Sequence, residues 1–227
     1  FPGVSIYDIS SGIDKAVLVK DMKISHTGSN GNLAEPEGVK IAPNGTTVYM
    51  TLQESNELGW FSINNPPDVL VDKATFTNPE HEPDGIWVNS DGTLICTAGE
   101  YDGTIGVHQL DSSGKPSSQS YIRMADDLPS NWDWDDKRKG IEPEEVVIAE
   151  AGGKVFVLTT LQDAGAVVVY DITDPNNPKY DSGSITEMND YTSGSGGTSV
   201  TFNPAAGIAT NLQVIGNTYT VSYTHLR

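Results

Sequence analysis

Short runs of alternating apolar and polar residues recur along the chain, separated by turns rich in glycine, proline, asparagine and aspartate. Three of these runs open in the same way, with an acid, a proline and a second acid, at residues 35–39, 82–86 and 142–146. Each leads through a turn into a second apolar run, and a third and a fourth follow. Strict alternation over a few residues is typical of half-buried β-strands, and helical periodicity is missing. The pattern therefore predicts antiparallel strands in groups of four.

The repeat length indicates the architecture that these strands build. Four antiparallel strands every ~45 to 50 residues is the period of a β-propeller blade. We expect an all-β chain, a β-propeller of four-stranded antiparallel blades that belongs to a larger ring of about seven blades. Residues 1–227 are predicted to form one unit, with a partial blade at 1–25, full blades at about 35–76, 82–124 and 141–186, and a degenerate partial blade at 196–223. Residues 221–227 resemble translated adapter sequence.

Charge and composition narrow the classes of partner. Thirteen basic residues face 31 acidic ones, for a formal net charge of −18. This field repels phosphate backbones and anionic lipid and attracts cations, so we expect no nucleic-acid partner. No apolar run approaches the ~18 residues of a membrane span. The single cysteine, Cys96, stands in an apolar run and is expected to be a buried structural thiol.

The acidic openings are the candidate site. In a blade, the start of the first strand and the turn after the second strand lie on one face, so carboxylates from successive blades are expected to line a funnel around the axis. Clustered oxygen ligands suit Ca²⁺, which makes calcium the one expected cofactor. The alternative is that the acids only accept hydrogen bonds from turn amides and recur because blades recur. The candidate metal ligands are Glu35, Glu37, Glu54, Glu82, Asp84, Glu100, Glu142 and Glu144.

The other motifs are weaker evidence for a functional site. Residues 131–142 place oxygen ligands as in an EF-hand loop but lack its sixth-position glycine, so an ordered connection anchored by Trp132 and Trp134 is the preferred interpretation. His81 either faces the funnel or is an exposed loop residue. The chain contains no nucleophile elbow, phosphate-binding loop or zinc-binding histidine pattern in the required context.

Three stretches carry a resemblance to a known family. They are residues 35–63, with Glu-Pro-Glu-Gly-Val, residues 83–100, and residues 135–144 continuing to 169–178. Together they resemble the choice-of-anchor I propeller family, which includes mesenchyme-specific cell-surface glycoproteins and bacterial proteins described as alkaline phosphatase-like. The resemblance implies an extracellular or surface-attached propeller with matrix or mineral association. Tyr101-Asp102-Gly103 replaces the family's usual Asp-Ala-Arg run, which weakens any phosphatase inference.

Two functions are weighed against each other, with an extracellular or cell-surface location expected for both. The preferred one is a non-catalytic propeller that binds Ca²⁺, mineral or a protein or matrix partner through its acidic face, because no nucleophile and base pair is visible. The alternative is a Ca²⁺-dependent phosphoesterase of the phytase-like type, for which only Lys137, Arg138 and Lys139 could hold phosphate. A scaffold whose function lies elsewhere in a longer protein also stays open.

Overall fold

The computed structural model describes residues 2–28, 31–128, 141–162 and 166–181, together with the short strand at 186–187. Within these ranges the chain forms successive antiparallel sheets, which confirms the predicted all-β propeller fold. The predicted partial blade at 196–223, residues 131–140 of the EF-like loop and the 221–227 segment lie outside the described residues. The blade total of about seven stays a prediction.

The sheets follow one another along the sequence. A partial blade comes first, formed by β1 (Gly3–Asp8) and β2 (Val17–Lys23). Blade 1 contains β3 (Pro36–Ile41), β4 (Thr47–Leu52), β5 (Glu57–Ser62) and β6 (Lys73–Thr75). Blade 2 contains β7 (Pro83–Val88), β8 (Leu94–Gly99), β9 (Thr104–Leu110) and β10 (Pro116–Arg123). Blade 3 contains β11 (Pro143–Ala151), β12 (Lys154–Leu161), β13 (Ala166–Asp171), β14 (Lys179–Tyr180) and β15 (Thr186–Glu187).

The outermost strands differ from the sequence prediction. In blade 1 only Lys73–Thr75 pairs with β5, while Val69 forms a parallel bridge to Lys23 of the partial blade. In blade 3 the predicted single fourth strand is divided, because β14 and β15 both pair with β13 at different positions. Outer strands contact fewer neighbours than inner ones, so their extent depends on tertiary contacts that alternation does not reveal.

The core lies between consecutive sheets. One cluster of buried apolar side chains joins the partial blade to blade 1, a second joins blade 1 to blade 2, and a third joins blade 2 to blade 3. Cys96 belongs to the third cluster and is fully buried, as predicted, and burial raises the pKa of its thiol. Face-to-face packing of each sheet against the next is what arranges blades around an axis.

A hydrogen-bonded chain of side chains crosses blade 2. The turn after β8 contributes Asp102, whose Oδ1 lies 3.6 Å from Nδ1 of His81. His81 Nε2 bonds Thr97 Oγ1 at 2.8 Å, and Thr97 Oγ1 bonds His108 Nε2 at 3.0 Å. Thr104 completes the group through its 3.0 Å contact with His81 Nδ1. The chain ties the blade connection to two strands, so His81 neither faces the funnel nor lies exposed, and both expectations for it were wrong.

Burial keeps one histidine of blade 2, His108, uncharged at neutral pH. His108 is fully buried, and burial followed by the neighbouring His81 lowers its pKa to about 3. Its Nδ1 has no hydrogen-bond partner, so a proton added there would be a buried charge with no compensation.

Removing the hydroxyl that links the two histidines is expected to destabilise the fold. Thr97→Val keeps the shape of the side chain but leaves two ring nitrogens without their shared partner, at a cost of about 1–3 kcal/mol in the free energy of unfolding. Urea denaturation measures the change. Thr75→Val, at an exposed position on β6, serves as the matched control with little effect expected. Equal stability of the Thr97 variant and the parent would show that the hydroxyl bridge contributes nothing to the free energy of unfolding.

Candidate functional site

The three acid-Pro-acid segments form the same local structure. In each blade the pairing of the first and second strands shifts register directly after the proline, between Pro36 and Val39, Pro83 and Ile86, and Pro143 and Val146. A bulge of this kind leaves residues outside the ladder and re-aims their side chains. The second acid of each segment sits in the bulge, which explains why an acid recurs beside a proline that cannot donate to the ladder. These acids are Glu37, Asp84 and Glu144.

The end of each second strand lies beside this bulge, as the sequence analysis predicted. The backbone amide of Gln53 donates to the Glu35 carbonyl at 2.7 Å, and that of Gln162 donates to the Glu142 carbonyl at 2.8 Å. The third equivalent bond runs from Glu100 to the Glu82 carbonyl at 3.2 Å. The position after the second strand is therefore Gln, Glu and Gln in successive blades. Glu54, which the sequence analysis named for this turn, stands one position after Gln53.

Close contact between blades brings the bulges together. A Cβ on Gly38 would lie 2.6 Å from the Asp84 carbonyl oxygen, and a Cβ on Gly85 would lie 2.5 Å from that of Glu144. Both positions therefore need glycine, because backbone atoms would block any larger residue. Thr51 Oγ1 donates to the Asp84 carbonyl at 2.6 Å and closes the first of these interfaces.

The charges of three carboxylates act on Glu144 at this end of the blades, and we call the four residues the axial cluster: Asp84, Glu100, Glu142 and Glu144. Glu144 is their centre and is only 8% exposed. Burial, then a hydrogen bond with Asp84, then the charges of Asp84, Glu100 and Glu142 raise the pKa of Glu144 to about 8. Glu144 is therefore protonated at neutral pH and shares its proton with Asp84. Two carboxyl groups in contact cannot both ionise without a large cost.

Amide side chains satisfy the outer members of the axial cluster. Gln53 Nε2 donates to Glu100, which links blade 1 to blade 2, and Gln162 Nε2 donates to Glu142 at 2.7 Å. Amides solvate a carboxylate without neutralising it.

A second buried acid, Glu57, has its pKa shifted in the opposite direction. Glu57 is 2% exposed, and burial alone would raise its pKa. Hydrogen bonds from Lys73 at 2.5 Å, from His26 at 2.5 Å and from Ser55 outweigh that effect, so the pKa of Glu57 is lowered. Glu57 thus forms a structural ion pair with Lys73. In the axial cluster, by contrast, the buried acid Glu144 keeps a proton.

The candidate metal ligands separate into two groups. Asp84, Glu100, Glu142 and Glu144 come together, while Glu37 occupies the equivalent bulge of blade 1 and is exposed. The main charges that act on Glu144 are those of Asp84, Glu100 and Glu142, and Glu35, Glu54 and Glu82 are not among these. Within the described ranges, no group of three or more His, Cys, Asp or Glu has the geometry to hold a metal ion. Calcium binding stays a prediction that no contact of the structure supports.

One cation near the axis was missed by the sequence analysis. Lys40 on β3 places its Nζ 3.0 Å from the centroid of the Trp87 ring on β7. Burial lowers the pKa of Lys40, and the charge of Glu145 opposes that effect. The two residues stand two positions after Gly38 and Gly85, so comparison of the repeats beyond the acidic opening could have found them.

The comparisons with known proteins identify a different relationship from the one the motifs suggested. No family model matches the chain. A 6-phosphogluconolactonase of Serratia proteamaculans is 27% identical over 113 residues, which are 49% of this chain and 34% of that protein. Among solved structures, a Bacteroides fragilis protein provisionally described as a 6-phosphogluconolactonase matches 82% of this chain and 52% of its own, with a TM-score of 0.59 and 14% identity.

A third relative has the same architecture. The periplasmic gluconolactonase of Pseudomonas aeruginosa matches 82% of this chain and 50% of its own, with a TM-score of 0.59 and 12% identity. The chain therefore spans about half the length of these solved structures. At such identities the structural likeness establishes the propeller fold alone.

These findings correct several predictions. The resemblance to the choice-of-anchor I family is wrong, because the relatives are described as lactonases. The expected non-catalytic calcium- or mineral-binding role, the alternative phosphoesterase and the cell-surface assignment are overturned by the same relatives. The motifs misled because acidic bulges and hairpin turns describe how a blade is built, and a shared architecture does not establish a family or a function. In the described part of the chain, no helix has the length and apolar content needed to cross a bilayer.

The proton on Glu144 is expected to make stability depend on pH. Between the ordinary carboxyl pKa of 4.5 and about 8, the folded chain binds a proton that the unfolded chain releases, so stability falls as pH rises through this window. Glu144→Gln should remove this dependence, which amounts to at most about 4 kcal/mol between pH 5 and 8.5. Urea unfolding at the two pH values measures it.

A control and a contrary outcome define the test. Asp72→Asn, an exposed carboxylate away from the cluster, is expected to keep the parent's pH dependence. A Glu144→Gln variant with the same pH dependence as the parent would mean that Glu144 is ionised in the folded chain.

Proposed function

We propose that this chain is part of a lactone-hydrolysing β-propeller and that the axial cluster supplies its acid and base. The supporting relatives are described as a 6-phosphogluconolactonase and a periplasmic gluconolactonase. The substrate class is then a sugar lactone. The periplasmic location of the Pseudomonas protein supports a place outside the cytoplasm for this chain as well.

The observation that carries the proposal is the hydrogen bond between Asp84 and Glu144, whose pKa is raised to about 8. Ester hydrolysis needs one group that accepts a proton from water and another that donates a proton to the departing oxygen. Two carboxyl groups whose environments hold them in different protonation states at one pH provide this division of roles. Burial and the surrounding carboxylates produce that difference here.

The proposed reaction uses both groups in one hydrolytic cycle. Asp84 takes a proton from a water molecule while the oxygen of that water bonds to the lactone carbonyl carbon. The tetrahedral adduct then breaks the bond between that carbon and the ring oxygen, and Glu144 gives its proton to the ring oxygen. The product is the open-chain hydroxy acid. Proton transfer from Asp84 to Glu144, across their hydrogen bond, restores the starting state when the product acid ionises.

Hydrolysis of D-glucono-1,5-lactone, followed by acid release in weak buffer and corrected for the spontaneous reaction, tests the proposal. Glu144→Gln cannot donate the proton and is expected to lower kcat on the order of 10²–10³-fold. For the parent chain, kcat should decline as pH rises above about 8, because Glu144 then loses its proton. The 6-phosphorylated lactone is assayed in parallel.

Matched variants separate chemistry from folding. Asp72→Asn is expected to retain full activity, and thermal unfolding of each variant establishes that it is folded. Absence of hydrolysis of both lactones by the folded parent would overturn the proposed function. Undiminished kcat in Glu144→Gln would overturn the role of Glu144.

A further inference from the structure

A cavity lies on the outer part of blade 2, and no member of the axial cluster lines it. Its volume is about 420 Å³, within the range of ~300–1,000 Å³ that small-molecule sites occupy. The connection from β6 to β7, the turn after β8 and the outermost strand β10 form its wall. All of its lining residues fall within one continuous described range, 77–123. Six of them matter for recognition: Thr77, Asn78, Glu80, Asp102, Tyr121 and Arg123.

The wall of this cavity is held in place from behind. Asp102 Oδ1 accepts bonds from the backbone amide of Thr104 at 3.1 Å and from its hydroxyl at 2.8 Å. Asn78 Nδ2 donates to the other oxygen of Asp102. Tyr121 donates its hydroxyl proton to Gln119 Oε1 at 2.8 Å, and its ring packs edge-on against His81 at 5.1 Å. Both side chains are therefore fixed before any ligand arrives, which lowers the entropic cost of binding.

The chemistry of the lining favours an uncharged ligand. Two carboxylates, Glu80 and Asp102, stand against one guanidinium, Arg123. The chain as a whole carries −18, so an anion would be repelled. The donors around Asp102 disperse its charge, which weakens the pull on a cation. Hydroxyl, amide and carboxylate groups around an aromatic ring instead suit a ligand that both donates and accepts several hydrogen bonds.

We propose that this cavity is a binding site for a neutral sugar or similar polyhydroxylated ring. Arg123 and the Thr77 hydroxyl reach the ligand's oxygens, the oxygens of Asp102 and Asn78 accept from its hydroxyls, and Tyr121 offers an apolar surface to its C–H groups. The site does not depend on the proposed lactonase activity, since no member of the axial cluster lines it. It would hold a saccharide at the outer part of the same blade that contributes Asp84 to the axis.

Saturation-transfer NMR with methyl β-D-glucopyranoside as the probe, on the full chain, tests the site. We expect saturable binding with a millimolar dissociation constant and no comparable signal from glucose 6-phosphate. Thr77→Tyr places a ring in the cavity from an exposed position and should weaken binding at least tenfold. Arg123→Ala removes a donor that is 74% exposed and should weaken it several-fold.

Controls make each outcome informative. Lys15→Ala removes an exposed cation beside β1 and should leave the affinity unchanged, and the melting temperature establishes that every variant is folded. Absence of saturable glucoside binding overturns the proposal. So does tighter binding of the phosphorylated sugar, or glucoside binding that Thr77→Tyr leaves intact, which would assign the signal to another part of the chain.

Discussion

Close approach of the first strand of one blade to the first strand of the next is the constraint on which this structure depends. The approach is so tight at Gly38 and Gly85 that a single added carbon would meet a carbonyl oxygen of the following blade. Because the contact involves backbone atoms, the spacing of the blades is set where the bulges lie. The carboxylates of neighbouring bulges are then forced into proximity, whatever their charge.

That enforced proximity explains the different treatment of two buried acids. Glu57 lies where side chains from separate parts of the chain can reach it, so Lys73 pairs with its charge and His26 adds a hydrogen bond. Glu144 lies where the blades converge and its neighbours are other acids. The state of lowest free energy is therefore the one in which Glu144 shares a proton with Asp84. A group held away from its ordinary protonation state in this way is a mark of functional sites as well as of crowded structural ones.

Much of the fold could be predicted from the sequence because the strands and turns of a blade have short-range sequence patterns. Alternation, turn glycines and the recurring Glu-Pro opening identified the inner strands and their common face. The short β6, the division between β14 and β15 and the burial of His81 could not be predicted, since they depend on contacts between residues distant in the chain. The axial cluster was found in part: Asp84, Glu100, Glu142 and Glu144 were named, but as metal ligands. Alternation shows which carboxylates share a face and does not show that burial and neighbouring acids raise the pKa of one of them.

The single thiol of the chain gives the interface between blades 2 and 3 a reporter of its own. Cys96 lies in the apolar cluster shared by these blades, is fully buried, and has a raised pKa, so almost none of it is nucleophilic thiolate. Alkylation can occur only when the two blades separate or blade 2 opens. The rate at which a thiol reagent labels the chain therefore measures how often neighbouring blades part, without any engineered probe.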